Sequence, residues 1–252
     1  RYLTSLHKKT VCTLVPTEEM RQQMSDDIQP IQVLGRGIDT KLFTPAKRCE
    51  ALRREWGIAP NETVLLYVGR LAREKNIELA IKTFSQLKAS VPSARLVLVG
   101  NGPDYVRLYS RQDGLIFVGA RTGEELARHY ASSDIFLFPS QSETFGNVVL
   151  EAMASGLGVV AFDEAAAHIH IRHGKNGMLV QTRDEAAFTR HSASLLLNPA
   201  HLQSIRQQAR LSMVEQSWEQ VGSDFERILR NYSGMEEYNE PGKCLAASLG
   251  SR

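Results

Sequence analysis

The fold is decided by the stretch VLLYVGRLAREKN, residues 64–76. Its first five residues form a continuous apolar run, which is typical of a strand that is covered on both faces. A glycine and a basic segment follow the run, and Asn76 is a predicted helix N-cap. After Asn76, apolar side chains recur at helical spacing: Ile77, Ile81, Phe84 and Leu87. The stretch therefore predicts a strand, a loop and a helix.

The same unit recurs along the chain. Short apolar runs bounded by turn residues predict further strands at Arg95–Val99, Leu115–Val118, Asp134–Phe138, Gly158–Phe162 and Met178–Val180. Helical patterns lie between these runs, and Thr122 with Glu125 predicts a capping box at the start of one helix. The last helix has an apolar face that extends from Trp218 to Tyr232. Alternating strands and helices predict an α/β fold with a doubly wound, Rossmann-like parallel sheet.

The two ends of the chain have a different character. At the start, the patterns predict a strand at Thr10–Val15, a short helix at Glu18–Ser25 and a strand at Ile31–Leu34. This segment has too few elements to form a domain, and the chain begins at Arg1 instead of methionine, so we expect a fragment of a longer protein. We expect residues 1–40 to be the remnant of an upstream domain with a hinge, and residues 41–232 to form the main domain. Residues 233–252 predict a disordered tail, because they are rich in Gly, Ser, Glu and Asn.

The composition argues against several classes of protein and kinds of site. The net charge of +2 gives no electrostatic case for binding nucleic acid, and no apolar run approaches the roughly 20 residues that span a bilayer. Three cysteines (Cys12, Cys49 and Cys244) lie far apart and predict neither a disulfide framework nor a thiolate zinc site. We therefore expect a cytoplasmic protein, with peripheral association at the inner face of the membrane as an alternative.

The loop after the first long strand contains two cations close to a glycine. Gly69 and Arg70 follow the strand directly, and Lys75 precedes the helix. Ligands of open α/β sheets bind beyond the carboxyl ends of strands, where an arginine and a lysine can neutralise a diphosphate. The alternative is a solvated basic turn that only connects the two elements, and spacing alone does not separate these two interpretations.

The loop after the second long strand reads Gly100-Asn101-Gly102-Pro103. It resembles the opening of a dinucleotide-binding fingerprint but lacks the third glycine, and Pro103 can serve as the first residue of a helix. By itself this pattern favours a tight turn without a ligand.

Two glutamates follow the strand at 134–138. Glu143 lies in a predicted loop, and Glu151 lies about one turn into a helix that begins at Gly146 or Asn147. Eight helical residues span about 12 Å. This separation suits one extended ligand that is contacted at two places, and the helix start between the glutamates can face a phosphate. The alternative is a capping glutamate together with a solvated glutamate.

His168, His170 and His173 form an H-x-H-x-x-H pattern that would suit a metal only with further ligands. No carboxylate or cysteine motif accompanies the pattern, so we expect no metal and no cofactor, and we expect these side chains to line a pocket or to cover a helix. Sequences typical of serine hydrolases, P-loop NTPases and zinc peptidases are missing from the chain.

Taken together and in order, these segments resemble the C-terminal half of the retaining glycosyltransferase family 4, from about Thr10 to Tyr232. The segments that carry the resemblance are Gly35–Asp39 with Phe43–Pro45, Val68–Leu71 with Glu74–Asn76, Leu98–Pro103, Phe117–Gly119, the E-x7-E element from Glu143 to Glu151 with Ala152–Gly156, and Asn176–Val180. The resemblance implies a GT-B fold, in which two Rossmann-like domains face each other across a cleft. It also implies that this chain is the half that binds the sugar nucleotide, a UDP- or GDP-sugar.

The resemblance further implies a role for individual residues. Arg70 and Lys75 would hold the diphosphate and stabilise it as it leaves, Glu143 would contact the transferred sugar, and Glu151 would accept hydrogen bonds from the ribose. The remaining implied contacts to the donor come from Gly69, Asn101, Gly102, Val118, Thr144, Phe145, Gly146, Asn147 and Val148. Retention is ascribed in this family to attack on the front face of the sugar, with the leaving group assisting deprotonation of the acceptor.

The chain departs from the family pattern after the strand at 158–162. Members commonly have a Gly-Gly pair and a glutamate there, whereas this chain has Asp163-Glu164-Ala165-Ala166-Ala167-His168. The departure leaves open the sugar and the acceptor, which can be a glycan, a lipid or a small molecule. The alternatives to a transferase are a GT-B epimerase or phosphorylase, and a non-catalytic module that binds nucleotide sugars.

Overall fold

The computed structural model describes residues 5, 7, 9–60, 62–110, 114–141 and 145–233. The chain divides into two compact units. The larger unit is Gly37–Trp218, and the smaller one combines Arg1–Arg36 with Glu219–Arg252. The last helix is thus grouped with the N-terminal segment, apart from its first residue. Residues 234–252, which include most of the predicted tail, lie outside the described residues.

The strands and helices follow one another in a regular alternation over most of the chain. The strands are β1 (Thr13–Val15), β2 (Ile31–Val33), β3 (Val64–Val68), β4 (Arg95–Val99), β5 (Leu115–Gly119), β6 (Ile135–Phe138), β7 (Gly158–Phe162) and β8 (Met178–Val180). The α-helices are α1 (Glu18–Met24), α2 (Glu50–Glu55), α3 (Ile77–Ser90), α4 (Tyr105–Tyr109), α5 (Gly123–Ala131), α6 (Asn147–Ala154), α7 (Ala165–His170), α8 (Glu185–Leu196), α9 (Pro199–Met213) and α10 (Trp218–Ser233). Short 3-10 turns occupy Pro45–Lys47 and Arg73–Lys75.

The larger unit is built on a six-stranded sheet with the order β5-β4-β3-β6-β7-β8. All of its paired strands are parallel. The chain builds outward from β3 in one direction and then returns to build outward from β6 in the other, so the strand order reverses between β3 and β6. The predicted doubly wound parallel sheet is confirmed. Ligands of such sheets bind at the point where the strand order reverses, beyond the carboxyl ends of the strands.

The sheet is covered on both faces. Every residue of β3 is buried, and its side chains alternate between two cores. Leu66 packs with side chains of α5, α6 and α7, whereas Leu65 packs with side chains of α3 and α8. This burial explains why β3 reads as an unbroken apolar run and not as an alternation.

The strand boundaries differ little from the predicted ones. The ranges of β3, β4, β7 and β8 are those expected from the sequence, and β5 extends by one residue to Gly119. The expected strand at 134–138 begins one residue later, at Ile135. The side chain of Asp134 accepts a hydrogen bond from the amide of Val64 at 2.9 Å, so this residue anchors the start of β3.

The predictions for the helix starts are corrected in three places. Asn76 precedes α3 but has a left-handed backbone (φ 50°) and makes no capping hydrogen bond, since a 3-10 turn leads into it. Thr122 precedes α5 but does not cap it, and the carboxylate of Glu125 pairs with Arg128 at 2.9 Å instead of closing a capping box. Pro103 does not begin a helix, because α4 starts at Tyr105.

The smaller unit contains the elements predicted near the N-terminus. β1 and β2 pair in parallel, and α1 begins after Thr17, whose hydroxyl accepts from the amide of Met20. The elements are shorter than predicted: β1 begins at Thr13, α1 ends at Met24, and β2 ends at Val33. A small core forms from Val15, Ile28 and Ile31. Within the described residues, no helix is both long and apolar enough to cross a bilayer.

We expect Phe136→Ala to lower the free energy of unfolding by about 3–5 kcal/mol, because it opens a cavity in a fully buried strand. The ring packs edge-on against Tyr130 with 5.8 Å between centroids. Urea denaturation of the purified chain measures the loss. Val106→Ala, at a side chain that is 80% exposed, is the control and should change stability by less than about 0.5 kcal/mol. Equal effects of the two variants would show that Phe136 does not lie in the core.

Candidate functional site

The residues predicted to bind the donor lie at one edge of the larger unit's sheet. Gly69 and Arg70 follow β3, the segment around Gly102 follows β4, and Phe145 comes in the loop after β6. Because these strands are parallel, their carboxyl ends meet at the same edge, on both sides of the point where the strand order reverses. Two predicted site residues, Glu143 and Thr144, lie outside the described residues.

The loops after β3 and β4 are joined by main-chain hydrogen bonds. The amide of Leu71 donates to the carbonyl of Asn101 at 2.9 Å, and the amide of Asp104 donates to the carbonyl of Leu71 at 3.0 Å. A Cβ on Gly102 would lie 2.2 Å from the carbonyl oxygen of Leu71, and one on Gly100 would lie 1.9 Å from that of Gly69. Glycine is therefore required at both positions for the two loops to pack this closely.

The loop after β4 is also joined to the end of β5. The amide of Gly100 donates to the carbonyl of Gly119 at 3.0 Å. Asn101 is exposed beside this junction, whereas Val118 is partly buried and packs against the core. Arg121, an exposed cation at the same edge, is not among the site residues predicted from the sequence. A basic residue shortly after a strand was the signal that could have indicated it.

Arg70 presents its guanidinium to solvent at the carboxyl end of β3. Its side chain is 66% exposed and pairs with Glu74, with 3.4 Å between Nη1 and Oε1. The hydroxyl of Tyr67 donates to the carbonyl of Arg70 at 3.1 Å and holds the main chain in place. Lys75 lies at the end of the 3-10 turn that precedes α3 and is partly buried. Because an exposed ion pair contributes little free energy, an anionic ligand can compete with Glu74 for the guanidinium.

Helix α6 begins at this edge without a side-chain cap among the described residues. Gly146 has a left-handed backbone (φ 85°) directly before Asn147, and it leads the chain from the loop into the helix. The first amides of a helix have no partner within the helix, and they attract an anion. Val148, in this first turn, is partly buried and packs against the core, while Asn147 is exposed.

The loop before α6 is fixed by the segment that departs from the family pattern. Phe145 is buried, its carbonyl accepts from the amide of Ala166 at 2.8 Å, and its ring lies 6.3 Å from that of His170. Ala165 has a left-handed backbone (φ 48°), a conformation that costs a residue with a Cβ about 1–2 kcal/mol. The chain thus retains a glycine-like conformation at this position without a glycine.

Glu151 reaches from α6 to the neighbouring helix α5. The hydroxyl of the fully buried Tyr130 donates to Oε2 of Glu151 at 2.9 Å. Burial raises the pKa of Glu151, and the hydrogen bond from Tyr130 lowers it by less. Burial also raises the pKa of Tyr130 well above its ordinary value, as does the neighbouring carboxylate. This contact was not predicted from the sequence, since the spacing of Tyr130 is that of one more residue on the apolar face of α5.

The three histidines do not converge. Nδ1 of His168 lies 2.6 Å from Oδ1 of Asp163, His170 packs against Phe145, and Nδ1 of His173 lies 2.8 Å from the carbonyl oxygen of Leu179. Among the residues that the structure describes, no group of three or more His, Cys, Asp or Glu side chains could hold a metal ion. The expectation that the reaction needs no metal stays a prediction.

The sequence matches the family model described as "Glycosyl transferases group 1" over residues 49–212. Among curated proteins, it is 39% identical to a GDP-mannose-dependent alpha-mannosyltransferase of Mycobacterium tuberculosis over 176 residues, which is 69% of this chain and 45% of the relative. It is 30% identical to a protein of the same name from Corynebacterium glutamicum over 233 residues, 92% of this chain and 54% of the relative. The chain thus spans about half the length of these relatives.

Solved structures of GT-B glycosyltransferases share the fold. Sucrose-phosphate synthase from Thermosynechococcus elongatus superposes with a TM-score of 0.78 at 24% identity, over 92% of this chain and 61% of that one. Anabaena Alr3699/HepE in complex with UDP gives a TM-score of 0.78 at 21% identity, over 91% of this chain and 65% of that one. At these identities the likeness concerns the fold alone. The family match covers more than half of the sequence, and the chain therefore belongs to the glycosyl transferases group 1 family.

Proposed function

We propose that this chain is the donor-binding half of a retaining glycosyltransferase, which moves a sugar from a nucleoside-diphosphate sugar to an acceptor hydroxyl. The observation that carries the proposal is the placement of an exposed arginine and a helix start, with no side-chain cap among the described residues, on the loops of two neighbouring strands. Arg70 follows β3, α6 follows β6, and these strands are hydrogen-bonded neighbours at the point where the strand order reverses. A diphosphate between them would meet a guanidinium on one side and main-chain amides on the other.

The transition state of the proposed reaction concentrates negative charge on the departing diphosphate. Fixed cations and amide dipoles stabilise that charge most effectively when they are positioned before the reaction begins. We assign this role to Arg70, Lys75 and the first turn of α6, so the proposed reaction requires no metal ion. The main-chain hydrogen bonds between the loops after β3 and β4 support the assignment, because they limit movement of the main chain next to Arg70.

Glu151 is assigned to the ribose of the donor. Its carboxylate is partly buried, and within the described residues only Tyr130 donates a hydrogen bond to it. Two ribose hydroxyls would supply further donors to a carboxylate that is otherwise poorly solvated. By the family resemblance, Glu143 contacts the transferred sugar, and the residues near Asn101 and Val118 flank the base. The acceptor would be bound by a second domain upstream of this chain.

The relatives narrow the choice of donor to be tested first. The two mannosyltransferases named above are GDP-mannose-dependent by name, whereas the similar Anabaena structure holds UDP. The mannosyltransferases have higher sequence identity to this chain, so we propose GDP-mannose as the first donor and a UDP-sugar as the alternative.

Calorimetric titration with GDP, UDP and ADP tests the diphosphate site. We expect at least one nucleotide, with GDP first, to bind the chain. In the variant Arg70→Ala/Lys75→Ala, affinity should fall by about 100-fold, because two charge-assisted contacts are lost. The variant Lys82→Ala/Arg227→Ala removes the same charge from exposed ion pairs elsewhere and should bind like the wild type. Unchanged affinity in the first variant would exclude the proposed diphosphate site.

A comparison of GDP with 2′-deoxy-GDP tests the ribose contact. Glu151→Ala should weaken GDP binding by about tenfold and should weaken 2′-deoxy-GDP binding less, because the deoxynucleotide has only one of the two hydroxyls that would donate to the carboxylate. Glu125→Ala, at a side chain that is 55% exposed, is the control and should affect neither nucleotide. Equal losses for the two nucleotides in Glu151→Ala would remove the ribose assignment.

The raised pKa of Glu151 predicts a dependence of stability on pH. Between 4.5 and the raised value, the folded state binds more protons than the unfolded state, so this residue lowers the free energy of unfolding as pH rises through that window. Glu151→Gln removes this loss and retains an acceptor for Tyr130, so the variant should be at least as stable as the wild type at pH 7. Urea denaturation at a series of pH values, with Glu125→Gln as control, measures the difference. A large loss of stability in Glu151→Gln would assign the carboxylate to the fold and not to a ligand.

A further inference from the structure

Three arginines converge on one aspartate at the amino edge of the sheet, opposite the candidate donor site. Oδ1 of Asp134 accepts from Arg206 at 3.0 Å and from Arg48 at 3.3 Å. Oδ2 accepts from Arg53 at 3.3 Å and from the amide of Val64 at 2.9 Å. Each oxygen of the Asp134 carboxylate therefore accepts two hydrogen bonds. Its single negative charge balances only one of the three arginine charges.

The three guanidinium groups also form ion pairs and hydrogen bonds with groups other than Asp134. Glu50 accepts from Nε of Arg48 at 2.8 Å and lies 3.7 Å from Nε of Arg53, so it balances a second charge. Arg53 is completely buried and donates to the carbonyls of Ser132, Ala59 and Glu62. Arg206 donates to the carbonyl of Gly156 at 2.7 Å. Burial lowers the pKa of Arg206, Asp134 opposes this effect, and repulsion from Arg48 and Arg53 adds to it.

A cavity of about 250 Å³ opens beside this cluster. Its polar lining includes Arg48, Arg206, Gln203 and Thr63, together with Asp134 and Glu62. The volume is slightly below the range of pockets for drug-sized ligands and suits a small ion or a compact metabolite. Pro199, the first residue of the 15-residue helix α9, also lines the cavity, so this helix begins at the cavity wall.

Several hydrogen-bond donors in the lining of the cavity are unsatisfied by the residues that the structure describes. Within the described residues, Nη2 of Arg48, Nη2 of Arg206 and the side chains of Thr63 and Gln203 have no hydrogen-bond partner. Besides Asp134, whose oxygens already accept from the three arginines, Glu62 brings an opposing charge to the lining, and its carboxylate accepts from the amide of Ala59 at 2.7 Å. A lining with two guanidinium groups, a hydroxyl and an amide suits a tetrahedral oxyanion, since arginine contacts phosphate through two parallel N–H groups.

We propose that this cavity binds a phosphate group, carried either by inorganic phosphate or by a small phosphorylated metabolite. The site is separate from the candidate donor site, because Asp134 and Thr63 lie at the amino ends of strands whose carboxyl ends hold the donor loops. Strands of about five residues separate the two edges by about 15 Å. The inference does not depend on the proposed function.

Thermal denaturation and calorimetry with inorganic phosphate test the proposal in the Arg70→Ala/Lys75→Ala background, so that phosphate binding at the donor edge does not contribute. Sodium chloride at equal ionic strength is the control for screening. Phosphate should raise the melting temperature above that in chloride. A parallel titration with mannose 6-phosphate distinguishes the two sources, since tighter binding of the sugar phosphate indicates a metabolite and equal binding indicates the free ion.

Substitutions in the lining then locate the site. In the same background, Arg48→Gln should weaken phosphate binding by about tenfold and Arg48→Lys by less, while Asp134 retains Arg53 and Arg206 as partners. Glu62→Gln should strengthen binding, because it removes the opposing charge and leaves an acceptor for the amide of Ala59. Arg227→Gln, which breaks an exposed arginine–carboxylate pair elsewhere, should leave binding unchanged. Absence of any phosphate effect beyond chloride, or equal affinity in Arg48→Gln and Glu62→Gln, would overturn the proposal.

Discussion

The larger unit depends on the burial of β3 on both faces. A strand of five buried residues cannot lie at the surface, so helices must cover it on each side, and parallel neighbours must satisfy its main chain. The helices that connect successive strands cover the two faces of the sheet. The loops are left at the two ends of the strands, where main-chain groups and charged side chains meet solvent. Both the candidate donor site and the arginine cluster follow from this division, since each occupies one end of the same strands.

Much of the fold could be predicted from the sequence because burial leaves a direct pattern in it. Continuous apolar runs marked six strands to within one residue, and four of those ranges needed no correction. Helix starts were predicted less well, because capping depends on a side-chain rotamer that neighbours decide. The pairing of Glu125 with Arg128 is one example, and the left-handed backbone of Asn76 is another. Strand pairing at a distance, such as β3 with β6, follows from the fold class and not from any local signal.

The candidate site was less accessible to sequence reasoning than the fold. Residues next to strand ends, such as Arg70, could be placed at the carboxyl edge from topology alone. The contact between Tyr130 and Glu151 could not be predicted in this way, because the two residues are 21 positions apart and lie on different helices. Nor could the sequence show that Ala165 adopts a left-handed backbone, a conformation that usually requires glycine. The bond from the amide of Ala166 to Phe145 supplies a tertiary reason for that strained conformation.

The close packing of the loops after β3 and β4 also constrains how such a site can change. Each loop contains main-chain atoms that lie against the other at distances where even a methyl group would collide. A residue inserted into either loop would displace its neighbour as well, so changes of loop length would disturb both at once. Exchanges of outward-facing side chains on these two loops, such as those of Arg70 and Asn101, leave the loop lengths unchanged and avoid this disturbance.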